Sequence, residues 1–222
     1  MPRVLILFVV LLSLMACMPA PPSLQLPQDC RAQQSIEKLL ATDWLAGEEV
    51  WRIRQTALLE TRFRKLAMEG FLRLDLKTGE ARLVALNEIG LVLFDLQVTA
   101  DSEQLHRAVP PLEKRRDLMT TIAKSLRRIF LVPRPALSDR LVPQENVQSL
   151  SRISTNGSQN FLFDCYGDLR ESRWQGEAGS WSTHYNHYDE RQNVRLPEEI
   201  ILHDEEQGIR LTLEIKEVKP ES

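Results

Sequence analysis

The chain has 222 residues, enough for one domain with a sizeable core and a squeeze for two. Its 28 basic and 31 acidic residues leave a formal charge of -3, so no global field favours nucleic acid or a strongly acidic partner. Any partner has to be recognised by a local surface.

The first segment reads as an export signal and not as part of the fold. Met1-Pro2-Arg3 gives a short positive start, and from Val4 to Ala16 every residue except Ser13 is apolar. That run is too short to span a bilayer, which takes about 20 apolar residues. Directly behind it stands Leu14-Met15-Ala16-Cys17. A small residue followed by cysteine at this place resembles the lipobox of bacterial lipoproteins, whose leader is cleaved before the cysteine. The resemblance implies a signal peptide over residues 1–16 and a lipidated Cys17 as the mature N-terminus. Met18, standing where aspartate is associated with inner-membrane retention, implies the periplasmic face of the outer membrane of a Gram-negative bacterium. The alternative is an ordinary secretory signal with an incidental cysteine.

Pro19 to Pro27 is rich in proline and serine, so residues 17–32 read as a lipidated cysteine plus flexible tether, and residues 33–222 as a single folded domain. With Cys17 assigned to lipid, Cys30 and Cys165 can pair in only one way. An exported protein meets a compartment where disulfides persist. Such a bridge would close a very long loop and contribute about 4–5 kcal/mol in the chain-entropy model; two unpaired thiols are the alternative.

Gln33 to Leu45 places Ile36, Leu39 and Leu40 at helical spacing, which predicts a short helix. From Val50 the period changes to two, with Trp51, Ile53 and Ala57 against Arg52, Arg54 and Thr56, as in a half-buried strand. Leu72, Leu74 and Leu76 alternate with Arg73 and Asp75, and Lys77-Thr78-Gly79-Glu80 is a hairpin turn. The next two runs, Arg82–Leu86 and Leu91–Phe94, are apolar on both faces, which predicts a cover on each side. Asn87-Glu88-Ile89-Gly90 separates them and puts an isoleucine in a turn.

Pro110-Pro111 stops the sheet, and Leu112 to Leu131 reads as one basic amphipathic helix. Leu118, Met119, Ile122, Ala123, Leu126, Ile129 and Phe130 form its stripe, while Lys114, Arg115, Arg116, Lys124, Arg127 and Arg128 lie elsewhere. It can pack on the sheet or lie on a membrane surface. After a polar stretch ending at Asn156-Gly157-Ser158 the strands resume, through Phe161 and Phe163 to the clear alternation of Ile209, Leu211, Leu213 and Ile215. The sum is roughly nine to eleven antiparallel strands interrupted by one helical segment, a mainly β (α+β) chain.

No catalytic constellation emerges. There is no glycine-rich phosphate loop, no G-x-S-x-G elbow and no H-E-x-x-H, so an enzyme is not expected and no cofactor is implied. His184 and His187 are three apart in a strand and point to opposite faces, which argues against a metal site there. Asp204-Glu205-Glu206-Gln207-Gly208 reads as a solvated turn, and Trp174 and Trp181 as core or rim packing, or a stacking platform.

The C-terminal stretch carries a pattern: a tryptophan at Trp181, then Tyr185 and Tyr188-Asp189, Pro197, an apolar strand, and Gly208-x-Arg210-Leu211-x-Leu213. In this order, and together with the lipobox, it resembles the LolA/LolB family of lipoprotein carriers and outer-membrane receptors, including related lipoproteins without an assigned role. Leu86-Asn87-Glu88-Ile89-Gly90-Leu91 is similar to the strand–loop–strand from which an apolar residue of LolB projects and helps a delivered lipoprotein enter the membrane; Ile89 takes that place. The resemblance implies an unclosed antiparallel β-barrel round an apolar cavity under a helical lid, which binds acyl chains such as palmitate on a lipid or lipoprotein and assists lipoprotein transport. Candidate wall residues are Leu72, Leu74, Phe94 and Leu96; candidate lid residues are Ile122, Leu126 and Phe130. Partners implied are the membrane through Cys17, an acylated ligand and a periplasmic carrier protein, but no nucleic acid. The alternative is an envelope scaffold of the same fold with a filled core.

Overall fold

The computed structural model describes residues 34–46, 49–62, 64–143, 146–177, 179–191 and 194–221. The expected signal peptide, Cys17, the tether and Cys30 lie outside them.

Among the described residues one antiparallel sheet of twelve strands organises the chain. A short helix α1 (Ile36–Thr42) comes first, capped by the Ser35 hydroxyl, which accepts the Lys38 N–H at 3.4 Å. Strands β1 (Val50–Thr61), β2 (Lys65–Asp75), β3 (Glu80–Leu86), β4 (Val92–Val98) and β5 (Glu103–Ala108) then step outward to one edge. Strands β6 (Arg140–Pro143), β7 (Val147–Ser154), β8 (Gly157–Asp164), β9 (Leu169–Gly176), β10 (Gly179–Arg191), β11 (Val194–Asp204) and β12 (Ile209–Pro220) return from the other edge to the middle. There β12 pairs with β1 along nearly its whole length, from Trp51↔Pro220 to Thr61↔Ile209. The expected unclosed barrel is therefore present, with one strand more than the upper count read from the sequence.

The expected helix over residues 112–131 is divided. A single turn α2 (Pro110–Glu113) is followed by a break at Lys114-Arg115, helix α3 (Arg116–Leu126) and a π-turn (Arg127–Leu131). The wider π spacing lets three consecutive residues, Ile129, Phe130 and Leu131, all be buried, which an unbroken α-helix with one apolar stripe would not do. The segment ends before Pro133, and the Val132 N–H closes it on the Arg127 carbonyl at 2.8 Å.

This helical segment packs its apolar stripe on the sheet, and the face that it covers is called inner here. Ile53, Leu72, Leu83 and Leu96 stand side by side across β1–β4 on that face. A second inner row runs through eight strands: Leu66, Leu59, Leu211, Leu202, Thr183, Ser172, Phe161 and Leu150. Period two sends the alternate residues outward. The double cover expected over β3 and β4 is not found: Val84, Leu86 and Leu93 on the outer face are only half-buried, and Arg82 and Asp95 pair among them at 2.8 Å. One apolar layer, under the helix, forms the core.

Candidate functional site

Leu72, Leu74, Phe94 and Leu96 are each at most 1% exposed, and all four face inward. Ile122, Leu126 and Phe130 are buried on the underside of the helical segment. Wall and lid residues thus share one core, and little space is left between them. A cavity of about 30 Å³ lies between Ile122, Ser125 and Leu126 on the helix and Ala57, Met68, Leu83 and Leu211 on the sheet. That holds about one water, whereas small-molecule sites run to about 300–1,000 Å³. In this arrangement the helix itself occupies the trough.

Several polar contacts latch it there. The Arg127 guanidinium donates to the Thr99 carbonyl at 2.7 Å and to Glu103 at 2.6 Å. Arg128 pairs with the buried Asp204 carboxylate and lies 5.3 Å from the Trp181 ring centre. The Thr121 hydroxyl donates to Gln207 at 2.7 Å. At the C-terminal end the carbonyls of Ile129 and Phe130, which an ending helix leaves without partners, accept from the Tyr185 hydroxyl at 3.3 Å and from Arg134 at 3.0 Å. Trp44, just past α1, closes this end edge-on against Phe130 and Tyr185, with ring centres 6.0 and 6.4 Å away. Burial raises the Asp43 carboxyl and the Tyr185 phenol above their ordinary pKa values, desolvation being the largest cause for each.

On the opposite flank of the same helix the inner face is open. Here a pocket of about 420 Å³ lies between Lys124, Arg128 and Val132 and the tryptophans Trp174 and Trp181. Its floor is an inner row in register across β7–β10: Arg152, Gln159, Trp174 and Trp181; Asp204 continues that row on β11, outside the pocket. Two hairpin glycines place Trp174. A Cβ at Gly157 would come within 2.7 Å of its ring, and one at Gly176 within 3.0 Å, so the indole lies flat on bare backbone. Trp174 and Trp181, read from sequence as packing or platform, form a wall. Lys124 and Arg128 had been visible only as residues off the apolar stripe, while Arg152 and Gln159 gave no signal beyond alternation in a polar strand.

Ile89 projects from the turn between β3 and β4 and is 86% exposed, with Leu91 beside it at 51%. Asn87 builds the turn. Its side-chain oxygen accepts the N–H of Ile89 at 3.2 Å and of Leu91 at 2.8 Å, and its carbonyl accepts that of Gly90 at 2.9 Å. Gly90 sits at φ +79°, a conformation open to glycine at little cost. The turn thus holds Ile89 at its exposed tip.

Cys165 is 9% exposed and disulfide-bonded; Cys30 of the expected pair lies outside the described residues. Gln34 is held close by, donating to the Cys165 carbonyl at 3.1 Å and exchanging two hydrogen bonds with Gln148. His184 and His187 do not converge, and no three-residue metal-binding group occurs among the described residues.

No family model matches the chain, and no curated protein matches it in sequence. Among solved structures it is similar to a LolA superfamily protein from Nitrosomonas europaea, at TM-score 0.53 and 11% identity over 86% of this chain and 95% of the other. The fold is a LolA-like open half-barrel. An outer membrane lipoprotein-sorting protein domain from Vibrio parahaemolyticus is similar at TM-score 0.52 and 8% identity, over 84% of this chain and 90% of that one. At such identities the likeness concerns the backbone fold alone.

Proposed function

We propose that the protein is a non-enzymatic envelope lipoprotein, anchored through Cys17 to the periplasmic face of the outer membrane, that binds acyl chains on the inner face of its half-barrel and assists their passage to the membrane. The observation that carries this reading is the inner face itself. It is apolar over many strands, yet its cover is a single amphipathic segment and not a second sheet, and that cover leaves a pocket of about 420 Å³ beside it. Apolar walls suit an acyl chain because each methylene leaves water without any directional contact being needed, at about 0.8 kcal/mol per CH₂. Displacing Ile122 and Leu126 from the small sealed cavity would lengthen the binding surface toward β1–β3. The exposed Ile89 supplies an apolar probe for the membrane, and the lipoprotein-sorting neighbour makes an acylated protein a reasonable cargo.

The test is purification without detergent, followed by mass spectrometry of the extract and by loading with a fluorescent fatty acid. Retained or accepted lipid in stoichiometric amount supports the reading. A chain that neither retains nor takes up any acyl ligand overturns it. The near-filled cavity under Ile122 and Leu126 favours a second reading, an envelope scaffold with a solid core. Recovery of one protein partner in fixed ratio, unaffected by Ile89→Glu, would select that reading.

A further inference from the structure

The open pocket is not a neutral greasy slot. Among the described residues that line it are four cations, Lys124, Arg127, Arg128 and Arg152, and no carboxylate. The Arg127 head is turned away to Thr99 and Glu103, but the others remain. Arg128 and Arg152 are held from behind by acids outside the wall, Asp204 and Asp139, with Arg152 bonded at 2.7 and 3.0 Å. Those acids fix the guanidinium groups and leave the Nη1 group of Arg152 without a hydrogen-bond partner among the described residues. The Lys124 ammonium has no ion-pair or hydrogen-bond partner among them. The local charge thus carries one uncompensated cation, on a flexible stem beside two oriented guanidinium groups.

Facing these cations is an aromatic wall, and at its foot is a buried polar atom with nothing to bind. Gln159 is 3% exposed; its amide donates to the Ser172 hydroxyl at 3.0 Å while its Oε1 has no partner among the described residues. A buried polar group left unmatched is costly, so it marks a place where a ligand's hydroxyl or other donor would be welcome. Cations on one side, indole faces on the other and a polar atom at the foot define an amphiphile with an anionic head.

The geometry points to this pocket as the head-group site for an amphiphile bearing phosphate or carboxylate, with Lys124, Arg128 and Arg152 meeting the charge and Trp174 and Trp181 meeting the first apolar carbons. Guanidinium forks match the oxygens of phosphate and carboxylate, and a hydrated ammonium adds a mobile point charge. This inference rests on the acyl-binding reading and adds to it a selection by head group.

The test titrates the full chain with three lysolipids of equal chain length, used below their micelle concentrations: lysophosphatidylglycerol (anionic), lysophosphatidylcholine (zwitterionic) and monoacylglycerol (neutral). Inorganic phosphate is the fourth ligand. Calorimetry is expected to give at least tenfold tighter binding of the anionic lysolipid than of the other two. Lys124→Glu should abolish that preference and Lys124→Gln reduce it, both with unchanged circular dichroism, because Lys124 holds nothing else in place. Trp174→Phe should weaken all three lysolipids alike. Equal binding of the three, or a preference that survives Lys124→Glu, overturns the head-group inference while leaving acyl binding intact. Phosphate binding as tightly as the anionic lysolipid also overturns it, in favour of a free-anion site. Failure of every lysolipid to bind overturns both readings.

Discussion

Ile89→Glu isolates the membrane-facing part of the proposal, because the residue contributes little to the fold. The side chain is 86% exposed and the turn is built by Asn87 and Gly90, so stability should change by no more than about 0.5 kcal/mol. Full burial of an isoleucine is worth about 1.5–3 kcal/mol, and nearly all of that is available to Ile89 when it enters a bilayer. Losing it corresponds to about a 10- to 150-fold fall in vesicle partitioning, since each 1.4 kcal/mol is tenfold. The assay is co-sedimentation with vesicles, carried out on a Cys17→Ser background so that an acylated cysteine does not mask the term. Ile153→Glu is the control: Ile153 is 83% exposed too, but it lies on the outer face of β7, away from the turn, and its loss should leave partitioning unchanged. Equal partitioning of the parent and Ile89→Glu within twofold would refute the reasoning, as would an equal loss in the Ile153 control.

Other consequences can be measured separately. Asp164 is fully buried, pairs with Arg170 at 2.6 Å and accepts the N–H groups of Tyr166 and Asp168; Asp164→Ala should cost about 3–5 kcal/mol in urea unfolding, as when one member of a buried pair is removed. His184 and His203 meet edge to face at 6.1 Å on the outer side, and burial lowers the pKa of each, with Arg173 adding to the effect at His184 and Arg210 at His203. A depressed histidine binds its proton more weakly folded than unfolded, so stability should hold above pH about 6.5 and fall as pH drops below it. Replacing both histidines with glutamine should flatten that slope in chemical denaturation between pH 5 and 7. Peptide mapping without reductant should recover Cys30 joined to Cys165, and Cys165→Ser should cost about 2–5 kcal/mol.

Much of the fold was legible because its strands alternate cleanly. Leu72 and Leu74 could be assigned to one face from their alternation with Arg73 and Asp75, whereas in the doubly apolar run around Phe94 and Leu96 period two did not tell the inner face, and Ile89 stood out because an apolar side chain in a four-residue turn has no local reason to be there. Strands at and beside the edges were not legible. Glu103–Ala108 is exposed but for its last residue, and β7 is mostly polar; they are strands because neighbours offer backbone partners, and no hydrophobic pattern records that. The break at Lys114-Arg115 and the π-turn were hidden for the opposite reason, since the apolar stripe runs through them with only small errors of phase. The pocket was the least accessible feature. Arg152, Gln159, Trp174 and Trp181 become neighbours only through the register of four strands, which local periodicity does not determine.

The two edges of the sheet, β5 and β6, are consecutive in the chain, so residues 109–139 form a chord drawn across an open arc. An arc can widen only if its chord pays out length or slackens, and a guest that displaces the chord pushes the edges apart; the opening of the arc and the position of the helix are one mechanical variable. Val50 and Glu221, by contrast, meet at the middle of the arc, where the Glu221 N–H bonds the Val50 carbonyl at 2.7 Å. Tension arriving through the N-terminal segment would meet Gln34 before that seam, and its bonds to Gln148 and Cys165 would pass the load into β7 and the β8–β9 turn ahead of Trp44 and the helix it touches.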